Sequence, residues 1–223
     1  MTKTITSTNN QLIKNTIKLR QSRYAKKLGL FIVEGCKEIE KAINKKFTPK
    51  SIFFCNKHLS QKARNILSKI DDKSVLLEVG ENVFSKLALR EKTDGIIVVF
   101  TRKTLSFDKI DKKCKKILIL DKIEKSGNIG AILRTAAATN VLTIVIIGSS
   151  DPFSCNTIRA SIGAIFEMDI YHTTIDECTK FCKNNNIQII ATKLKDTSIS
   201  YKKVNYNKPT ALIMGSEDLG ISN

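Results

Sequence analysis

The chain of 223 residues has a hydrophobic content of 42%, which is enough for a folded core and excludes wholesale disorder. Its 38 Lys and Arg against 21 Asp and Glu give a formal net charge of +17, and this excess points to a polyanionic partner. The charge is concentrated early: residues 1–50 contain 12 Lys and Arg against 3 Asp and Glu, whereas residues 151–200 contain 5 against 6. We therefore expect nucleic-acid binding in the first part of the chain and a different task in the second.

In the first part of the chain, short apolar runs alternate with segments of helical periodicity. The runs predict strands at 30–35, 51–54, 75–79 and 95–100. Between them, apolar residues at helical spacing predict helices within 36–46, 59–70 and 81–89. The charged segment 101–116 shows no sustained period and is predicted to be a linker.

A second series of elements follows the linker. It predicts strands at 117–120, 143–147, 166–171, 187–192 and 211–214. Helices are predicted at 128–139, around 155–162 and at 175–184. Because strands that alternate with helices form parallel sheets covered on both faces, the sequence predicts the α/β class with parallel sheets. The linker divides the chain into a predicted first domain at 1–103 and a second at 115–223.

The cysteine pattern does not predict a metal site. Six cysteines are scattered without a C-x-x-C pair, and the chain has two histidines. Cys178 and Cys182 would share a helix face, but no histidine lies near them in sequence. The N-terminal segment lacks the apolar core of a secretory signal, and the apolar runs are too short to span a bilayer. We therefore expect reduced thiols, no membrane association and a cytoplasmic location.

The segment SGNIGAILRTAAATN, residues 126–140, places one arginine among small residues. On a helical wheel, an apolar stripe for packing on the sheet is formed by Ile129, Ile132, Leu133 and Ala136. The opposite side carries Gly127, Gly130, Ala131, Arg134 and Ala138. The face with Arg134 should therefore be free of bulk. Its helix should begin where a strand ends, which is a common ligand site in α/β sheets. These residues alone leave a solvated arginine equally acceptable.

Three segments that follow one another along the chain favour a functional role for Arg134. DKIEKSGNIGAILRTAAATNV (121–141), IRASIGAIF (158–166) and IMGSEDLGIS (213–222) resemble the motifs of SpoU/TrmH-type RNA 2′-O-ribose methyltransferases of the SPOUT superfamily. Residues 7–43 resemble the substrate-binding domain that precedes the catalytic domain in a subset of that family. The resemblance covers nearly the whole chain. It implies an α/β/α ribosomal-protein-like, RNA-binding domain followed by a Rossmann-like parallel-sheet SPOUT domain.

The resemblance also implies the chemistry and its residues. The methyl donor would be S-adenosyl-L-methionine, and the acceptor a ribose 2′-hydroxyl in RNA. The catalytic residues of the family correspond to Arg134, Asn128 and Glu217, and we expect the donor to contact Thr192, Met214 and Gly215. The RNA-binding cations of the first domain would be Lys14, Lys18, Arg20, Arg23, Lys26 and Lys27. A homodimer through the C-terminal domain is implied, in which arginine and donor can come from different subunits.

The role expected for Arg134 is electrostatic. Arginine stays protonated in proteins, so it is a poor base for a ribose hydroxyl. A fixed guanidinium beside the hydroxyl and the neighbouring phosphate would position the nucleotide and stabilise the developing negative charge. The phosphate of the substrate could then take the proton.

The sequence also departs from the family. Members carry a third motif beyond the second, and the segment that contains it forms a trefoil knot and one wall of the donor pocket. No match to that motif occurs up to Asn223, so we expect a C-terminal domain without the knot-forming segment. Ser126 stands where the family often has proline, which should loosen the loop slightly.

Three interpretations stay open at this point. The first is an RNA 2′-O-methyltransferase, with ribosomal RNA favoured by the added basic domain and transfer RNA as the nearest alternative. The second is a non-catalytic RNA-binding remnant of such an enzyme. The third is a Rossmann-like domain that binds a small phosphorylated ligand through Ser126–Gly130, and it leaves the basic first half unexplained.

Overall fold

The computed structural model describes residues 3–90, 93–103, 105–193 and 196–222. They fall into two compact units. The first unit contains the described residues up to Lys103 together with Phe153–Phe166, and the second unit contains the remainder. The predicted second domain, 115–223, includes the segment Phe153–Phe166, which packs here with the first unit.

The first unit is built on a five-stranded mixed sheet. Its strands are β1 (Lys3–Ile5), β2 (Leu30–Glu34), β3 (Pro49–Phe54), β4 (Leu76–Val79) and β5 (Ile96–Thr101), in the order β1-β4-β3-β5-β2. β4 is parallel to β1 and β3, whereas β5 is antiparallel to both β2 and β3. The expectation of parallel sheets throughout was therefore wrong for this unit. Periodicity locates strands but carries no information on their direction.

Five of the described helices lie between β1 and β5 in the chain. They are α1 (Gln11–Lys18), α2 (Ser22–Leu28), α3 (Cys36–Asn44), α4 (Gln61–Ser68) and α5 (Glu81–Leu87). Side-chain caps fix two of the starts, since Asn10 accepts from the Leu12 N–H and Ser60 accepts from the Ala63 N–H. Neither β1 nor the pair α1 and α2 was predicted.

An aromatic cluster ties the segment Phe153–Phe166 to the first unit. The ring of Phe31 on β2 lies 5.0–6.0 Å, centroid to centroid, from four other rings, those of Phe47, Phe100, Phe153 and Phe166. All five rings are at least 93% buried. The helix α7 (Cys155–Ala160) lies between the two phenylalanines of the segment. Burial of these rings explains why this piece of chain packs away from its sequence neighbours.

A tight turn at Asp94 and Gly95 starts the antiparallel strand β5. Both residues have left-handed backbone angles, with φ of 56° and 74°. The backbone of Gly95 lies against His58 and Leu59, and a Cβ at Gly95 would come within 2.5 Å of the His58 carbonyl carbon. The Gly95 carbonyl also accepts a hydrogen bond from the Cys55 N–H at 3.0 Å. Only glycine fits this close approach.

The second unit contains a five-stranded sheet that is parallel throughout. Its strands are β6 (Lys116–Asp121), β7 (Thr143–Ile147), β8 (Asp169–His172), β9 (Gln188–Ala191) and β10 (Thr210–Met214), in the order β8-β7-β6-β10-β9. Its helices are α6 (Ser126–Ala138) and α8 (Ile175–Asn184). The prediction of the α/β class with a Rossmann-like parallel sheet is confirmed for this unit. No helix in the described ranges is long and apolar enough to cross a bilayer.

The turn before β5 gives a matched pair of substitutions. Gly29 also has a left-handed φ of 64°, but a Cβ there would meet no atom within 4 Å. Gly29→Ala should lower the free energy of unfolding by about 1 kcal/mol, the cost of the conformation alone. Gly95→Ala adds steric overlap and should cost about 1–3 kcal/mol more. Urea unfolding followed by circular dichroism measures both. Equal losses would show that the close approach at Gly95 is not a constraint.

Candidate active site

The carboxyl ends of three neighbouring strands meet at one edge of the parallel sheet. β6 ends at Asp121, β10 ends at Met214, and β9 ends at Ala191. The register aligns these ends, since Met214 pairs with Leu120 and Ile213 pairs with Ala191. The chain order reverses between β6 and β10, and the crevice at such a switch point is where open α/β sheets bind ligands.

The helix α6 starts directly above this edge. It begins at Ser126, two residues earlier than predicted, so Asn128 lies in its first turn. Ile129, Leu133 and Ala136 are buried as predicted, while Ile132 is half-buried. The placement of Gly130 on the open face was wrong. This residue is buried, because it lies within about 60° of Leu133 around the helix axis.

A cleft of about 320 Å³ lies between the start of α6 and the segment after β10. Asn128 and Glu217, both predicted to be catalytic, face each other here, and the Asn128 Nδ2 donates to the Glu217 Oε2 at 3.4 Å. The Lys125 Nζ lies 2.5 Å from the same carboxylate oxygen. The hydrogen bond and charge of Lys125 hold the pKa of Glu217 below its ordinary value, and Glu217 raises the pKa of Lys125. Both groups are therefore ionised at neutral pH.

Lys125 was not among the predicted site residues. It belongs to the charged loop that precedes α6, and its only sequence signal is that position inside the first family-like motif. No spacing rule distinguishes it from Lys122, three residues earlier, which does not line the cleft. The contact with Glu217 spans 92 positions of sequence and becomes visible only in the folded chain.

Arg134 does not reach this cleft within the chain. It is exposed, on the same face of α6 as the exposed Gly127, Ala131 and Ala138. Six helical residues separate it from Asn128, which corresponds to about 120° around the axis and about 9 Å along it. The structure thus brings Asn128 and Glu217 together and leaves Arg134 directed elsewhere.

The segment after β10 folds into a tight loop. Ser216 and Gly220 exchange two backbone hydrogen bonds, of 2.8 and 3.0 Å, and Gly220 has a left-handed φ of 70°. A Cβ at Gly215 would lie 2.3 Å from the Gly220 carbonyl carbon, so the loop closes only over a glycine. This explains the glycine of the second motif in steric terms.

A buried carboxylate fastens this loop to β6. Asp121 is 0% exposed, and its Oδ2 accepts from the Ser222 N–H at 2.6 Å while its Oδ1 accepts from the Ser222 hydroxyl at 3.1 Å. Charge-assisted bonds of this kind are the stronger ones in proteins. Sequence reasoning missed this role of Asp121. The available signal was a lone carboxylate at the end of an otherwise apolar strand.

The three predicted donor contacts lie side by side. Thr192 follows β9 directly, and its N–H and hydroxyl both donate to the Ile213 carbonyl, at 3.1 and 3.0 Å. Met214 and Gly215 follow on the neighbouring strand end, and the side chain of Leu219 in the loop is 79% exposed. The half-buried Met214 and the exposed Leu219 offer apolar surface that suits the adenosine of S-adenosylmethionine, so this strand edge fits the predicted donor.

The predicted RNA-binding cations lie on α1, α2 and the turn between them. The exposed ones are Lys14, Lys18, Arg23, Lys26 and Lys27. Arg20 is half-buried, and its Nη2 donates to the carbonyls of Leu87 at 2.6 Å and Lys86 at 3.3 Å. Its guanidinium therefore caps the end of α5. Within the described ranges, no group of three or more His, Cys, Asp or Glu side chains is arranged to hold a metal ion.

Comparisons with known proteins match both parts of the chain. A family model described as the SpoU rRNA Methylase family matches residues 115–223, and one described as an MRM3-like substrate binding domain matches residues 10–98. An uncharacterized tRNA/rRNA methyltransferase of Synechocystis is 30% identical over 98% of this chain and 80% of its own length. A 23S rRNA (guanosine(2553)-2′-O)-methyltransferase of Bacillus subtilis is 24% identical over 98% of this chain and 84% of its own.

Solved structures show the same likeness. An rRNA methyltransferase from Sinorhizobium meliloti superimposes with a TM-score of 0.89 and 26% identity over 99% of this chain and 84% of that one, and it has also been solved with bound AdoMet. Fold, site and relatives together define the class of protein: an S-adenosylmethionine-dependent RNA 2′-O-methyltransferase. More particularly, the chain belongs to the SpoU methylase family.

The steric constraint at Gly215 can be tested through donor affinity. Gly215→Ala forces the loop away from Gly220, and a displacement of about 1 Å in such a site can cost about 10²-fold in function. Gly80→Ala is the control, because Gly80 has an ordinary φ of −65° and 3.9 Å of room. Calorimetric titration with S-adenosylmethionine should show a large loss for the first variant alone. Unchanged affinity in Gly215→Ala would separate this loop from the donor site.

Proposed function

We propose that the protein transfers the methyl group of S-adenosylmethionine to a ribose 2′-hydroxyl in ribosomal RNA. The observation that carries this proposal is the shared sheet edge, where the Asn128–Glu217 cleft adjoins Thr192, Met214 and Gly215. Ribosomal RNA is favoured because the relatives that match 98% of this chain include a 23S rRNA enzyme. Relatives named tRNA (guanosine(18)-2′-O)-methyltransferases match only 46–47% of it.

The proposed donor site consists of Thr192, Met214 and Gly215. When bound, S-adenosylmethionine supplies a methyl group activated by a sulfonium. The Gly215 turn, pinned through Ser222 to Asp121, fixes the backbone on which the donor rests. The half-buried Met214 lines the cleft as well, so donor and nucleotide would share one wall.

In the proposed reaction the chain positions the nucleotide. The ribose oxygen attacks the methyl carbon in line with the leaving sulfur, and its proton passes to a neighbouring phosphate or to water. Asn128 and the ionised Glu217 are held in one orientation by their mutual hydrogen bond and can fix the ribose through its hydroxyls. Arg134 would stabilise the charge that develops on the oxygen, since its guanidinium stays protonated.

We further propose a homodimer through the second unit, in which Arg134 of one subunit serves the cleft of the other. Two observations support it. Arg134 is directed away from the Asn128 cleft of its own chain, and the small residues around it on α6 leave room for a second backbone. In addition, an apolar groove of about 490 Å³, lined by residues such as Ile132, Val141 and Leu212, runs beside α6. The RNA substrate leads us to propose a cytoplasmic location.

Arg134→Lys keeps the charge but removes the planar guanidinium. We expect methyl transfer to fall by about 10²-fold, as for the loss of one preorganised donor, while S-adenosylmethionine affinity is retained. Arg64→Lys, at an exposed position of α4, is the control. Methylation of unmodified 23S rRNA transcripts with labelled donor measures the effect. Near-normal turnover in Arg134→Lys would remove the proposed role of Arg134.

Mixing variants tests the dimer in the same assay. Arg134→Lys and Gly215→Ala damage different halves of a shared site, so a mixed dimer contains one site with both halves intact. An equal mixture should recover about a quarter of wild-type activity if subunits exchange freely. If the mixture stays as inactive as its components after co-expression, arginine and donor do not come from different subunits.

The basic first unit is proposed to hold the RNA by its phosphates. Each phosphate contact contributes about 0.7–0.9 to the slope of log affinity against log salt concentration. Lys14→Gln with Lys18→Gln should therefore lower the slope by up to about 1.8 units. Lys180→Gln with Lys183→Gln, exposed on α8, removes the same charge elsewhere. Filter binding over a salt series measures both pairs. Equal slopes for the two variant pairs would show that RNA affinity depends on overall charge and not on the cations of α1.

A further inference from the structure

The cleft that must admit an RNA strand has an acidic wall. Three carboxylates line it, from Glu124, Glu217 and Asp218. Among its described lining residues, Lys125 is the only cation. In the free protein the ammonium of Lys125 forms an ion pair with Glu217, with 2.5 Å between the Lys125 Nζ and the Glu217 Oε2. As it stands, the cleft would repel the phosphates on either side of a ribose.

We propose that Lys125 is a phosphate-binding, positioning residue of this cleft, which exchanges its partner Glu217 for a phosphate beside the target ribose. This inference rests on the proposed function. The chemistry suits the residue, because an ammonium on a flexible stem binds phosphate as a point charge and can swing between partners.

The ion pair is built to exchange. Its side chains are 66% and 61% exposed, and ion pairs at that exposure contribute little, so a phosphate can displace the carboxylate readily. The displaced carboxylate keeps a partner, since the Asn128 amide already points at the same oxygen from 3.4 Å. One movement of Lys125 therefore gives the phosphate a cation and leaves Glu217 to Asn128.

The neighbouring carboxylates make Lys125 necessary for a phosphate to enter the cleft. Besides Glu217, the carboxylates of Asp218 and Glu124 act on Lys125. A phosphate that enters next to them without a counter-charge would face repulsion from all three. Lys125, the one cation among the described residues that line the cleft, thus decides whether a polyanion can enter.

The test compares Lys125→Met and Lys125→Arg with Lys122→Met. Lys122 lies in the same loop and is exposed, but its side chain runs over Gly148 and does not line the cleft. The measurements are affinity for an unmodified 23S rRNA transcript over a salt series, KM for that RNA, kcat, and affinity for S-adenosylmethionine.

For Lys125→Met we expect the salt slope to fall by about 0.7–0.9 and KM for RNA to rise about ten- to a hundredfold, with donor affinity unchanged. Lys125→Arg should retain most of the slope, and Lys122→Met should match the wild type. A wild-type slope and KM in Lys125→Met would overturn the inference. An equal loss of slope and KM in Lys122→Met would also overturn it, because the effect would then come from general charge. A loss of S-adenosylmethionine affinity in Lys125→Met would do so as well, because Lys125 would then act in the donor loop.

The same experiment separates this inference from the function on which it rests. If the wild type binds RNA but transfers no methyl group, the proposed function fails while the slope comparison still decides the role of Lys125. If the wild type methylates RNA and Lys125→Met does so with unchanged KM and slope, only the inference fails. If the wild type binds no RNA, both fall.

Discussion

The placement of β10 between β6 and β9 is the constraint on which the site depends. Parallel pairing puts the three strand ends at one edge, although they lie up to about a hundred positions apart in sequence, as the 101-residue separation between Asp121 and Ser222 shows. Closing so long a loop costs conformational entropy. Strand pairing in the sheet and local hydrogen bonds must offset that cost. The two hydrogen bonds that Ser222 donates to the buried Asp121 fasten the end of the loop that follows β10.

The net charge of +17 is unevenly distributed over the chain, and two of its regions have opposite charge. Exposed cations collect on α1 and α2, where they can meet phosphates without having to be desolvated. The cleft of the second unit instead has three carboxylates and one ammonium among its described lining residues. The two regions thus have opposite electrostatic surroundings. In the proposed function, the carboxylates of the cleft would discriminate against bulk polyanion binding, and the first unit would capture the RNA.

The sequence predicted those features that depend on local pattern. The strands of the parallel sheet and the helices α6 and α8 lie where apolar periodicity placed them, and the motif residues Asn128 and Glu217 meet in one cleft. Features set by distant contacts were beyond it. β5 runs antiparallel to its neighbours after the turn at Gly95, Phe153 and Phe166 pack against Phe31, and Lys125 meets Glu217 across 92 positions of sequence.

The position of Arg134 follows from the core. Turning α6 by about 120° would bring the guanidinium toward the cleft of its own chain, but it would also expose Ile129 and Leu133, both 0% exposed here. Burial of each such side chain is worth about 1.5–3 kcal/mol. A hydrogen bond such as that between Asn128 and Glu217 contributes about 1 kcal/mol, so a new polar contact of Arg134 would not offset the lost burial of Ile129 and Leu133. The helix is therefore fixed by its apolar stripe, and this stripe keeps Arg134 out of the Asn128–Glu217 cleft of its own chain.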